Sequence, residues 1–251
     1  MTTVCPNCSA VRTMPYCGQC GQKALHGRLD LHELAHDAWH AITNLDGGLP
    51  RLLRGLATRP QRVYAEYLAG ARKRYFNPVF FLLMASGAYI VLGTAALRRQ
   101  VEVMGRTSQT VAETVVLQAD KYRYLLALPL IVLLSWGLSR KRYHLAEIAV
   151  FWLFCIGFII ACETVGLPLQ WLWPTRRETI KYVFGWIAGL VMLWHVVVFF
   201  GGRRPDAVVR CAAIVCGTLV VLNYATRAMY RFYGFDVPLG LLPTLRDTFG
   251  L

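Results

Sequence analysis

Five apolar stretches, separated by short polar or basic segments, organise this chain: 79–97, 124–138, 145–165, 182–200 and 208–224. A hydrocarbon layer about 30 Å thick needs about 20 helical residues to cross it, within roughly 17–25. Four stretches meet that length. The stretch 124–138, which contains Pro129, meets it only with Tyr122 and Tyr124 anchored among headgroups. None alternates with the period of two that a barrel strand needs, and lipid forces backbone groups to pair within each segment, so the spans are expected as helices. Small residues at Ala85, Ser86, Gly87 and Ala88, and at Gly185, Ala188 and Gly189, predict close helix packing. The stretch 98–123 reads as a long loop with a surface helix through Val111, Val115 and Val116. A secretory signal is not expected, because the first long apolar run begins near Val79.

Composition strengthens this picture. Of 251 residues, 56% are hydrophobic and 16% charged, with a mean hydropathy of +0.42. Soluble domains sit nearer half apolar and a quarter charged, so a disordered chain is excluded and a purely soluble enzyme disfavoured. The net charge of +13 raises nucleic acid as a partner. However, the basic residues flank apolar runs, which is the pattern of cytoplasmic membrane edges. The short loops SRKRYH and GGRRPDA carry the clearest bias and place the N-terminus in the cytoplasm. Five spans then put the C-terminus outside.

Four of the eight cysteines lie within the first 20 residues, as Cys5-Pro-Asn-Cys8 and Cys17-Gly-Gln-Cys20. Two C-x2-C knuckles can converge four thiolates on one tetrahedral zinc, and a closed four-cysteine set leaves no open position for chemistry. The expected cofactor is therefore one structural Zn²⁺, serving as the core of a unit too small to have another. Gly18 and Gly21 offer the positive backbone angles that knuckles need, and Val11, Met14 and Tyr16 are placed to cover the metal. Disulfides and free thiols are the competing readings. The other cysteines, Cys155, Cys162, Cys211 and Cys216, read as small buried hydrophobes.

Residues 30–45, DLHELAHDAWHAITNL, predict an amphipathic helix that opens with an Asp30/Glu33 capping box. His32-Glu33-Leu34-Ala35-His36 matches H-E-x-x-H, whose spacing puts two imidazoles and a general-base Glu beside a catalytic zinc. A metalloprotease would also need a third ligand, for which Glu66 and His195 are the candidates on paper. Otherwise the histidines line the polar flank of a surface helix. Within the spans, Glu163 and His195 form a candidate intramembrane polar site, since buried ionisable groups usually carry function. Arg210 and Asn223 are the other polar groups there.

Between these features, Leu49, Leu52, Leu53 and Leu56 share one helical face, and Val63, Tyr64, Tyr67 and Leu68 share another after Pro60. With Arg51, Arg54, Arg72, Lys73 and Arg74 beside them, they read as interfacial helices lying on anionic lipid.

Cys5, Cys8, Tyr16, Cys17, Cys20, Gly21 and Gln22, followed by Asp46, Leu53, Arg59, Pro60, Tyr67, Leu68, Gly70, Arg72, Tyr75 and Pro78, carry a resemblance. Over about its first 90 residues the chain resembles the bacterial membrane proteins catalogued as domain of unknown function 3667 (DUF3667). The resemblance implies a zinc ribbon joined to a helical membrane region in the bacterial inner membrane, and no defined activity. Similar proteins often carry E-H-x-V-F and a further His in a later span. Here the stretch is Glu147-Ile148-Ala149-Val150-Phe151 with Phe154, so both histidine positions are apolar.

The expected architecture is an all-α polytopic membrane protein. A zinc ribbon (1–24) precedes amphipathic juxtamembrane helices (25–77), a five-helix transmembrane domain (78–224) and a C-terminal tail (225–251). The leading functional expectation is a non-enzymatic inner-membrane protein whose ribbon docks a cytoplasmic protein partner, with homo-oligomerisation open and nucleic acid disfavoured. The alternatives are a transporter or channel using Glu163 and His195, and a membrane-bound zinc metalloprotease using His32, Glu33 and His36.

Overall fold

A computed structural model describes residues 3–12, 14–22, 48–104, 110–201 and 205–232. The first two segments hold a two-stranded antiparallel hairpin, β1 (Thr3–Val4) and β2 (Val11–Arg12), with Thr3 opposite Arg12 and Val4 opposite Val11. Everything else regular in the described residues is helical. Two short helices follow, α1 (Gly48–Thr58) and α2 (Pro60–Leu68), and then a 3-10 turn, Arg72–Arg74. Pro60 stands at the first position of α2, where its missing N–H costs nothing. The long helices are α3 (Pro78–Met104), α4 (Thr110–Ser139) and α5 (Leu145–Val165). A corner made of α6 (Leu167–Leu172) and the 3-10 turn Pro174–Arg176 leads into α7 (Arg177–Phe200) and α8 (Pro205–Phe232).

Four of these helices, α3, α5, α7 and α8, are long and apolar enough to cross a membrane. The apolar part of α4, Tyr124–Ser139, is shorter. At 1.5 Å per residue it rises about 24 Å, short of the hydrocarbon thickness. The long-loop part of the reading of 98–123 is corrected, while the helix expected through Val111, Val115 and Val116 lies within α4. α3 runs on to Met104 and α4 starts at Thr110, because Arg98 to Met104 and Thr110 to Arg123 contain no proline or glycine to stop a helix already nucleated by its apolar half.

Helix α5 is the centre of the bundle. Every residue from 150 to 160 is buried, as expected of a helix that is apolar all round. It packs mainly on α3 and α7, whereas α4 packs mainly on α8. Gly157 sets the closeness to α3, since a Cβ there would lie 2.7 Å from the Phe81 ring. A buried polar tie crosses to α4, where Trp152 Nε1 donates to Ser135 Oγ at 2.9 Å. The amide of His144 donates to Glu147 Oε2 at 2.9 Å, closing the first turn of α5. Outward, Leu130, Trp186, Leu190 and Val209 are exposed, with Trp186 at 75%. A belt of large apolar side chains facing out of several helices suits a hydrocarbon solvent rather than water.

The amphipathic faces of α1 and α2 are where the sequence placed them, but lipid is not what covers them. Leu52, Leu56, Val63, Tyr64 and Tyr67 are buried against the protein itself. Tyr64 lies 5.2 Å from Phe151 and 5.3 Å from Phe199, and Tyr67 lies 5.1 Å from Phe154, centroid to centroid. The aromatic ends of α5 and α7 offer these faces specific edge-to-face partners. Thus α1 and α2 cap one end of the bundle.

Candidate metal centre

The two knuckles are built alike. Cys5 N donates to Ala10 O and Ser9 N to Cys5 O, while Cys17 N donates to Gln22 O and Gly21 N to Cys17 O, all at 2.7–2.9 Å. Each knuckle turns through a left-handed residue just after its second cysteine, Ser9 at φ 62° and Gly21 at φ 65°. The expectation for Gly21 holds. The first knuckle uses Ser9, and Gly18 is not left-handed.

These turns bring Cys5, Cys8, Cys17 and Cys20 together with all four sulfurs within 4.8 Å of one another. Cys5 and Cys20 are 3.6 Å apart, and Cys8 and Cys17 are 3.5 Å apart. Bonded disulfide sulfurs would sit at about 2.05 Å; these cysteines are free. A tetrahedron with metal–sulfur bonds of about 2.3 Å has edges of about 3.8 Å, close to what is seen. The donor set thus fits a metal ion. Burial raises the Cys20 thiol, but the Asn7 side chain and the Gln22 amide outweigh it and hold it at about 6. Backbone amides of Cys20 and Gln19 lower Cys17. Cys8 is lowered by the Ala10 amide, yet burial and its three thiol neighbours push it up to about 12. Four thiols this close ionise together only with a cation between them.

Val11, Met14 and Tyr16 do not cover this centre. They are 72%, 72% and 59% exposed, and Val4 is 66% exposed. Short β-strands with little beneath them leave these side chains facing outward.

The cysteine unit lies against the capped end of the bundle. Gln22 is buried, and its Oε1 accepts from the Lys73 amide at 3.1 Å. Asn7 joins α1, α2 and the Arg72–Arg74 turn in lining a cleft of about 730 Å³. Glu66 lies on its wall, accepting from Arg62 at 2.6 Å, Arg74 at 2.8 Å and the Tyr75 hydroxyl at 2.7 Å. Burial would raise this carboxyl, but those three donors bring it down to about 2. A carboxylate so engaged braces α2 against the Arg72–Arg74 turn. Because its folded value lies below the ordinary 4.5, its stabilisation is complete above about pH 4.5 and is lost as pH falls towards 2. Thermal melts of the purified protein are therefore expected to lose midpoint in that window. Glu66→Gln is expected to flatten that part of the profile.

The remaining sequence candidates divide. His195 is fully buried on α7, and its Nδ1 lies 2.7 Å from the Tyr64 hydroxyl on α2. The Phe158 ring stacks on it at 5.5 Å. Glu163 sits in the last turn of α5 and is half-buried. His195 is thus paired to the cap and not to Glu163, a link across 131 residues of sequence that no local pattern displays. Removing one member of a buried pair costs about 1–3 kcal/mol, whereas removing both costs less than the sum. Tyr64→Phe, His195→Leu and the double variant are expected to show that coupling in thermal unfolding. Arg210 pairs with Asp206 at 2.8 Å on α8. His32, Glu33 and His36 lie outside the described residues, as does the C-terminal tail beyond residue 232. Among the described residues, the cysteine cluster is the group able to hold a metal.

The fold and site define a class: a mainly helical protein with four helices long and apolar enough to cross a membrane, and a four-cysteine cluster able to hold a metal at one end. Within it, residues 46–90 match the family model described as "Protein of unknown function (DUF3667)". That segment contains α1, α2, the Arg72–Arg74 turn and the first half of α3, and so both Tyr64 and Glu66. No curated protein and no solved structure matches the chain.

Proposed function

We propose that this is a non-enzymatic protein of a bacterial inner membrane, in which a structural zinc holds a cytoplasmic docking surface against a five-span bundle. The observation that carries the reading is a closed thiol set whose neighbouring apolar side chains, Val4, Val11, Met14 and Tyr16, face outward. A zinc with four sulfur ligands has no position for a substrate, so its work is to shape that surface. Exposed apolar groups on a metal-stiffened unit suit a protein partner, because little ordering is needed on binding. Helix α4 is the fifth span, with residues before Tyr124 completing its crossing. The basic loops after α4 and α7 keep the capped end in the cytoplasm.

The test is deletion of residues 1–24 in the host cell, read against the full-length protein. The reading expects the deletion phenotype to match that of Val11→Asp with Met14→Asp. It fails if both variants keep every co-purifying partner and the wild-type phenotype.

A further inference from the structure

The cleft between the cysteine unit and the bundle cap carries charge that the docking role does not use. Six basic side chains line it: Arg51 and Arg54 from α1, Arg59 and Arg62 beside and within α2, and Lys73 and Arg74 from the 3-10 turn. Among the described residues that line it, Glu66 is the single carboxylate, and it is already held by Arg62 and Arg74. Among the described residues, no carboxylate pairs with Arg51, Arg54, Arg59 or Lys73. An exposed basic helix would spread such charges over a convex face. Here, three elements and Asn7 fold them around a volume of about 730 Å³, within the roughly 300–1,000 Å³ of small-molecule sites. Concentrating like charge around a concave wall is unfavourable unless an anion enters it.

From this convergence we infer that the cleft is a phosphate-binding site, taking a phosphomonoester or pyrophosphate group. Guanidinium forks match phosphate oxygens two at a time. Among the described residues lining the cleft, Tyr75 is the one aromatic ring, and its hydroxyl is committed to Glu66, so those residues offer no stacking platform of the kind that single-stranded nucleic acid uses. The cleft lies just before Pro78, where α3 begins. A lipid headgroup and a soluble phosphorylated molecule would present the same chemistry there. Gln22 ties the cysteine unit to this wall and Asn7 of that unit lines it, so an occupant would also fasten the unit to the bundle. This inference rests on the membrane placement proposed above, but not on the docking role.

The experiment uses the full zinc-loaded chain in phosphatidylcholine nanodiscs, with two probes. One is phosphatidic acid doped into the disc; the other is inorganic pyrophosphate in solution. Binding is read as retained lipid by native mass spectrometry and as a titrated shift in thermal midpoint. The cleft variant Arg51→Gln, Arg54→Gln, Lys73→Gln is compared with the loop variant Arg140→Gln, Lys141→Gln, Arg142→Gln. With each basic residue contributing about fivefold at a membrane surface, the cleft variant is expected to bind about a hundredfold more weakly. The loop variant is expected to bind as wild type does. Should the triple cleft variant not fold, Arg54→Gln alone is expected to weaken binding about fivefold. Binding of phosphatidic acid alone identifies a headgroup, and binding of pyrophosphate alone identifies a soluble ligand. Binding of both identifies the phosphate group itself as what is read. Binding of neither probe, or equal losses in the cleft and loop variants, overturns the site. Zinc content measured on the same samples keeps this failure separate from failure of the metal reading.

Discussion

Changing Cys17 and Cys20 together to Ser is expected to abolish metal binding and unfold the N-terminal unit while leaving the bundle intact. Two two-residue strands bury almost nothing, and a unit of this size lacks the apolar core to fold alone. Metal binding in comparable small sites contributes about 10–16 kcal/mol of folding free energy, far above anything else holding residues 3–22 together. Losing half of the ligands therefore removes nearly all of the unit's stability. Limited proteolysis is expected to cut the variant within residues 3–22 at protease levels that leave wild type whole. The thermal midpoint of the bundle is expected to move little, since its core residues, such as Trp152 and Phe154, lie in α5.

The second large effect falls on Phe154, which is fully buried where three helices meet. Its ring lies 5.1 Å from Tyr67 and 6.5 Å from Tyr64 on α2, and 6.4 Å from Phe81 on α3. Phe154→Ala removes the ring on which the cap rests and leaves a cavity that stiff aromatic neighbours cannot close. Core Phe→Ala changes cost about 3–5 kcal/mol. Part of that range comes from leaving water, and a residue within a lipid-embedded helix forgoes some of it, so about 3 kcal/mol is expected. The comparison is Leu130→Ala, at a site 58% exposed on α4, where a change of within about 0.5 kcal/mol is expected. Unfolding in detergent measures both. Release of the cap should appear as faster tryptic cleavage at the exposed Arg54 and Arg62.

The sequence shows best what depends on spacing along the chain. Cysteine spacing located the four-thiol cluster able to hold a metal, because ligands must converge through short turns. The length of apolar runs located the four helices long and apolar enough to cross a membrane, because the bilayer sets that length. Periodicity showed which sides of α1 and α2 are apolar. It could not show that Phe151, Phe154 and Phe199 cover them instead of lipid, since a moment carries no information about what lies opposite. For the same reason Tyr64 and His195, 131 residues apart, read as unrelated. Ser9 was invisible as a knuckle residue because its left-handed angle is set by the turn around it, and a serine has no intrinsic preference for that angle. Of the cleft's basic residues, Arg51, Arg54, Lys73 and Arg74 were legible one by one, but the concavity that gives them a shared target with Arg59 and Arg62 is a property of the packing. The segment 98–123 was misread because its polar residues resemble a loop, whereas helices nucleated in apolar segments extend into water until something stops them.

The central claim is a closed zinc–thiolate centre on a membrane-embedded bundle. Zinc stoichiometry with zinc K-edge absorption, on the intact protein purified in detergent, tests it most directly. The account expects one zinc per chain, with four sulfur neighbours at about 2.3 Å. A chain without zinc, or a zinc whose neighbours include nitrogen or oxygen, would contradict it.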